Sequence, residues 1–212
     1  MKSKFIFAAL LLPAIYVHAQ DKHSSTYQSP GMFSIGTRNT VSMFNDDKGI
    51  GLGIGGQSRI QVFKRIGTEW FFDYITSKNG SITYRNDYHF GWSVMYYPVK
   101  DNGTDRFLQP YIIAGHCFDY SKVMEQGNRS NSADRWSMAT QAGVGTHFNI
   151  NPRFDCSLST QYMLHFGKDI QTTIDKGNVV IQKKDFSTPD GHLLISLSFN
   201  YKIFHLWNNS KG

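Results

Sequence analysis

Along most of the chain, apolar side chains recur at every second position, and no stretch after the first 30 residues carries an apolar stripe at helical spacing. A period of two is the mark of strands that bury one face and present the other. Eight segments keep it: 31–43, 50–63, 68–77, 83–97, 108–121, 136–150, 154–166 and 192–204. In the second, Ile50, Leu52, Ile54, Ile60 and Val62 alternate with Gly51, Gly53, Gly55, Gln57, Arg59 and Gln61. In the fourth, Tyr84, Tyr88, Phe90, Trp92, Val94 and Tyr96 alternate with Arg85, Asp87, His89, Gly91 and Ser93. The eighth sets Leu193, Ile195, Leu197, Phe199, Tyr201 and Ile203 against Ser196, Ser198, Asn200 and Lys202.

Punctuation agrees with the strands. Pro30, Pro98, Pro110, Pro152 and Pro189 fall at segment ends or in connections, where a missing N–H removes no ladder bond. The glycine run GIGLGIGG at 49–56 contains the spacing of a dinucleotide-binding loop. Such a loop needs a helix opening at its last glycine, and the β-forming QSRIQVFKRIGTEWFFDYI follows instead. Gly51, Gly53 and Gly55 therefore read as the small-residue face of a curved strand.

The polar face decides which way the assembly is turned. It holds Arg38, Arg59, Arg85 and Lys202 beside Glu69, Asp73, Asp87, Asp119 and Asp155. Mixed charges of this kind suit a closed interior in which each ion finds a partner; a solvated outer face has no such need. Arg59 with Glu69, and Asp73 with Arg85, are the expected pairs. Large aromatics of the apolar face gather near segment ends, as at the two edges of a bilayer. The segments also reach the roughly 9–11 residues that a tilted strand needs to cross one. The expected fold is all-β: an eight-stranded antiparallel up-and-down transmembrane β-barrel, apolar outside and polar within. The competing arrangement is a soluble exported barrel or sandwich with Val144, Leu158 and Leu197 packed inside.

Composition sharpens this. Charged residues are 18% and aromatics 15%, against roughly 25% charged in an ordinary soluble domain. The mean hydropathy of −0.37 excludes a protein built of apolar helical spans. At the N-terminus, Lys2 and Lys4 precede FIFAALLLPAIYV and the small residues before Gln20, the layout of a cleaved secretory signal. The expected organisation is a signal peptide at 1–19, a polar leader at 20–30, a barrel at 31–204 and a tail at 205–212. Cleavage removes two lysines from a formal net charge of +6, leaving too little excess to argue for nucleic acid. Cys117 and Cys156 take opposite faces of non-adjacent segments and are expected to stay unpaired. No metal motif or nucleophile elbow occurs, and no cofactor is expected.

Beyond segment seven the outward phase continues through Ile170 and Ile174, and DKGN at 175–178 supplies a turn. Val179 and Ile181 then open the phase that reaches Leu193 and Ile203. Strands seven and eight are expected to continue as a protruding hairpin, interrupted near Pro189, whose edge pairs with a protein partner. Lys183 and Lys184 guard it against indiscriminate pairing. The alternative is a loop without pairing.

PYIIAG at 110–115, QAGVGTHFNINPRF at 141–154 and LLISLSFNYKIF at 193–204 resemble the small outer-membrane β-barrel proteins of Gram-negative bacteria, of the OmpX, OmpW and opacity-protein type. The resemblance implies insertion among outer-membrane lipid and lipopolysaccharide. It also implies a last strand ending on an aromatic residue, whereas here HLWNNSKG follows Phe204. Eight strands enclose only enough space for side chains, so a plugged surface structural or interaction protein, adhesion-like and without enzymatic activity, is the expected function. Passage of a small apolar ligand and lipid A modification, with inward His89 and His165 as its candidates, are the alternatives. A metal site formed by His89, His147 and His165 is not expected.

Overall fold

The structure, a computed structural model, describes residues 29–44, 49–99, 107–185 and 190–207. The expected cleavage site at Ala19, most of the leader, Lys184's side chain and Pro189 lie outside the described residues. Ten strands form: β1 (Met32–Phe44), β2 (Ile50–Phe63), β3 (Ile66–Asn79), β4 (Thr83–Tyr96), β5 (Leu108–Glu125), β6 (Ser132–Asn149), β7 (Phe154–Phe166), β8 (Lys168–Asp175), β9 (Asn178–Asp185) and β10 (Asp190–His205). Eight of them close into an antiparallel barrel in the order β1-β10-β7-β6-β5-β4-β3-β2, and among the described residues β8 pairs only with β9. Barrel strands that follow one another in the chain lie side by side, and β1 against β10 completes the circle, so the barrel leaves no edge.

Alternation sets which side faces in. Ser34, Arg38, Thr40 and Ser42 of β1 are buried, while Ile35 and Met43 are exposed. The same split runs through β4, where every inward residue from Thr83 to Met95 that carries a side chain is buried. Val144, Leu158 and Leu197 stand outside, 41–60% exposed. The exposed apolar side chains extend around the whole wall, far beyond the few hundred Å² that a soluble monomer tolerates in one patch. The soluble arrangement is thereby excluded: this wall needs an apolar surrounding.

Close approach explains the glycines of β2. A Cβ on Gly55 would collide with the Phe72 carbonyl and lie 2.6 Å from an Asp73 carboxylate oxygen. The absent side chain is what lets β3 present a charged carboxylate at this point.

Several strand ends differ from the expected segments. β3 starts at Ile66, so the β2–β3 connection is the two residues Lys64 and Arg65. β5 continues to Glu125 and β6 begins at Ser132, so most of the expected connection 122–135 is paired strand. Inward Ser121, Val123 and Arg135 keep the alternation going there. β10 runs to His205, one residue past the aromatic Phe204.

Candidate functional site

Two ionic clusters fill the interior, separated by an apolar layer. The first lies toward the end of the barrel that holds the start of β1. Arg38 donates to Glu69 at 2.8 Å and to Asp73 at 2.9 Å. Arg59 donates to the other Glu69 oxygen at 2.7 Å and to Asp155 at 3.3 Å. Lys202 Nζ stands 3.7 Å from Asp155, which also accepts from Asn200 Nδ2 at 2.8 Å. Three cations thus face three carboxylates, and Phe71 stacks under the Arg38 guanidinium at 4.4 Å. Such pairing is what makes burial of so many ions tolerable.

The second cluster is centred on Asp119 of β5. Its Oδ1 lies 3.5 Å from His89 Nε2 and its Oδ2 3.2 Å from His165 Nδ1. Ser137 donates to Oδ2 at 3.2 Å. His165 Nε2 in turn meets His192 Nδ1 at 3.2 Å. Arg85 donates from Nε to Asp87 at 2.9 Å and from Nη2 to Ser121 at 3.2 Å. Arg135 spans outward from this group, 3.8 Å from Asp119 and 3.3 Å from Asp169 of β8.

Between them sits a buried layer of Phe71, Ile75, Cys117, Ala139, Met163 and Leu194. Cys117, Ala139, Met163 and Leu194 each stand two positions from Asp119, Ser137, His165 and His192, on the same inward face. The layer was not legible in the sequence, because its apolar residues are scattered one or two to a strand among polar inward positions. At the end that holds the start of β1, beside the first ionic cluster, Met95, Tyr97, Tyr111 and Ile113 form a second apolar cluster. A cavity of about 30 Å³ lies there, lined by Arg59, Tyr97, His147, Asp155 and Lys202 among others. It has room for water and none for a solute.

The hairpin β8–β9 turns at Lys176 and Gly177, both with positive φ, as a two-residue type I′ connection requires. It is a separate two-stranded sheet, and this corrects the expectation of a continuous extension of the barrel strands. Gly167, at φ 129°, breaks β7 from β8, a backbone conformation open to glycine and strained for other residues. Ile170, Ile174, Val179 and Ile181 share one face by register. Ile170, expected to continue the outward phase, is instead buried at the base of the hairpin, whereas Ile174 is 61% exposed. Asn131, in the β5–β6 turn, donates to the Val179 carbonyl at 2.7 Å, and Arg135 holds Asp169.

The structure therefore brings Arg38, Arg59, Glu69, Asp73, Asp155 and Lys202 together at one level and Arg85, Asp87 and Asp119 at another. The expected Asp73–Arg85 pair does not form. The β3–β4 register sets Asp73 opposite His89 and Arg85 opposite Ser77, and Arg38 of β1 reaches Asp73 over Gly55 of the intervening β2. His89 and His165 meet around Asp119, while His147 stands apart beside Arg59 and Tyr97. Among the described residues no three His, Cys, Asp or Glu side chains are placed to hold a metal ion. His192, Arg135 and Asp169 went unnoticed in the sequence, although His192 shares the inward phase of Ser196 and Ser198. Cys117 and Cys156 are both free thiols.

The fold is similar to that of neisserial surface protein A: TM-score 0.55, 12% identity, 81% of this chain and 96% of that one covered. It is also similar to a major outer membrane protein of Thermus thermophilus: TM-score 0.51, 12% identity, with 81% and 99% covered. No curated protein matches the sequence significantly. The sequence pattern of the outer membrane protein beta-barrel domain matches residues 5–187. With an apolar wall, a charge-filled lumen and eight closed strands, the chain belongs to the outer membrane protein beta-barrel family, and its barrel is an outer-membrane one.

Proposed function

We propose that the protein is a surface interaction protein: a plugged barrel that anchors the β8–β9 hairpin outside the cell. The orientation follows the habit of such barrels, with termini and short turns in the periplasm and the longer connections outside. One observation carries the reading. The hairpin is a paired sheet held to the rim by Arg135–Asp169 and by Asn131 on the Val179 carbonyl, and among the described residues its strands pair only with each other. Unpaired strand edges offer a partner a row of backbone donors and acceptors, and exposed Lys176 and Lys183 limit which strands join them. The neisserial neighbour is itself described as a surface protein, which agrees with the reading.

A plugged lumen argues against solute passage, because two ionic clusters and an apolar layer occupy the space a channel needs. We assign the barrel no catalytic step. Lipid A from cells with and without the protein, compared by mass spectrometry, is expected to be unchanged.

The test compares cells displaying the full chain with cells displaying a variant in which 170–183 is replaced by a short Gly-Asn-Gly turn. Attachment to host-cell monolayers is expected from the first and not from the second, with both barrels folded by heat-modifiable gel mobility. Equal attachment by the two, or none by either, overturns the proposal.

A further inference from the structure

The hairpin stands between β7 and β10, since the chain leaves the barrel after Phe166 and re-enters it at Asp190. Beneath that junction lie three imidazoles, His89 of β4, His165 of β7 and His192 of β10, each at most 2% exposed. Their rings pack as one group, His192 standing 4.8 Å from His165 and 5.8 Å from His89 between centroids. His165 comes two residues before Gly167, where the hairpin breaks from β7. The last pairs of the β7–β10 seam set Asp190 opposite His165 and Gly191 opposite Leu164.

Asp119 serves two of these rings directly, His89 through Oδ1 and His165 through Oδ2, and His192 is joined to it through His165. The other charged groups nearby are already matched: Arg85 with Asp87 on β4, Arg135 of β6 with Asp169 of β8, and Asp73 of β3, opposite His89, with Arg38. From β1 the Phe44 ring meets His192 edge-on at 4.9 Å. His165 Nε2 and His192 Nδ1 are 3.2 Å apart, and a bond between them needs a proton on one nitrogen and a lone pair on the other. With a single proton at the contact the bond holds, whichever ring carries it. With both rings cationic, two N–H groups face each other and the contact turns repulsive. Imidazole is the side chain whose ordinary titration falls between about pH 5 and 8.

We propose that His165 and His192 form an acid-sensitive clasp at the base of the hairpin. At neutral pH the shared proton ties the ends of β7 and β10 together. A second proton, taken up on acidification, separates the two rings and loosens the last pairs of the seam. The added charge also repels Arg135 from Asp119, which lies 3.8 Å from it, and Arg135 is the residue that holds Asp169 of β8. The hairpin then swings free of the rim while the barrel below stays closed. Weaker attachment in acid rests on the function proposed above; the clasp itself does not.

A nitroxide at T173C in the hairpin, in a C156S background and in detergent micelles, tests this by electron paramagnetic resonance. Spectra are compared at about pH 7.5 and about pH 5, an interval in which imidazole titrates and an ordinary carboxylate stays ionised. The label is expected to be immobilised at the higher pH and mainly mobile at the lower, and to revert when the pH is restored. H192Q still offers an N–H to His165 but takes up no proton, so its label should stay immobilised at both. A label at K64C in the opposite turn should not respond. Gel mobility confirms that each variant folds; should H192Q not fold, H165Q, which also removes one of the two titrating rings, takes its place with the same expectation. Identical spectra at the two pH values, or acid mobility undiminished by the glutamine, overturns the proposal. Attachment is read separately: a hairpin that loosens in acid yet attaches to nothing leaves the clasp standing and removes only the adhesive role.

Discussion

Glu69 is the residue on which the first ionic cluster turns, because its two oxygens accept from two arginines of different strands. Glu69→Ala leaves Arg38 and Arg59 short of a partner in a buried interior. Breaking a buried pair in this way costs about 3–5 kcal/mol, so urea unfolding in detergent micelles should move to markedly lower denaturant. Glu69→Gln keeps one acceptor oxygen and is expected to fall between the two. Gly55 makes the opposite demand. Gly55→Val drives a branched side chain into the Phe72 carbonyl and the Asp73 carboxylate, and the fraction of protein running as a folded band on unheated gels should drop sharply. Both positions carry inward parity in the sequence. Which arginine meets which carboxylate does not follow from parity, since Arg38 and Asp73 come from strands that do not pair with each other.

At the scale of elements, β8 and β9 are tied to the rim by few contacts. Asp169→Asn weakens the hold of Arg135, and Asn131→Ala removes the bond to the Val179 carbonyl. Hydrogen exchange should then quicken in 168–185 in each variant, and further in the double variant, with β1–β7 and β10 unchanged. Equal exchange in all variants would mean that the tethers contribute nothing. Two features of this element were legible beforehand: the DKGN turn and the shared face of Ile170, Ile174, Val179 and Ile181. The break at Gly167 was not, because the apolar alternation runs through it without a change of phase. A single backbone angle sets the hairpin apart from β7.

For the whole molecule, closure with a filled lumen predicts an electrical result. Planar bilayers containing the purified barrel should show no stable open-channel steps, and regular conductance would contradict the layering of the interior. Orientation is checked by cysteine labelling in intact cells. A membrane-impermeant maleimide should react at T173C in the hairpin and not at K64C in the opposite turn. Cys117 is buried, and Cys156 faces outward from β7 well below the rim, so neither should contribute background.

Alternation along the chain determined by itself that the protein is all-β, that it has eight barrel strands, and that charge points inward while oil points outward. A strand's period of two ties each residue's face to its parity, and parity can be read without coordinates. Tertiary structure alone decided the partners of each interior charge, the grouping of His89, His165 and His192 about Asp119, and the apolar layer between the clusters. Those depend on stagger between strands and on reach across the lumen. Residues distant in the chain become neighbours only when the sheet curls shut, and no local pattern encodes that distance.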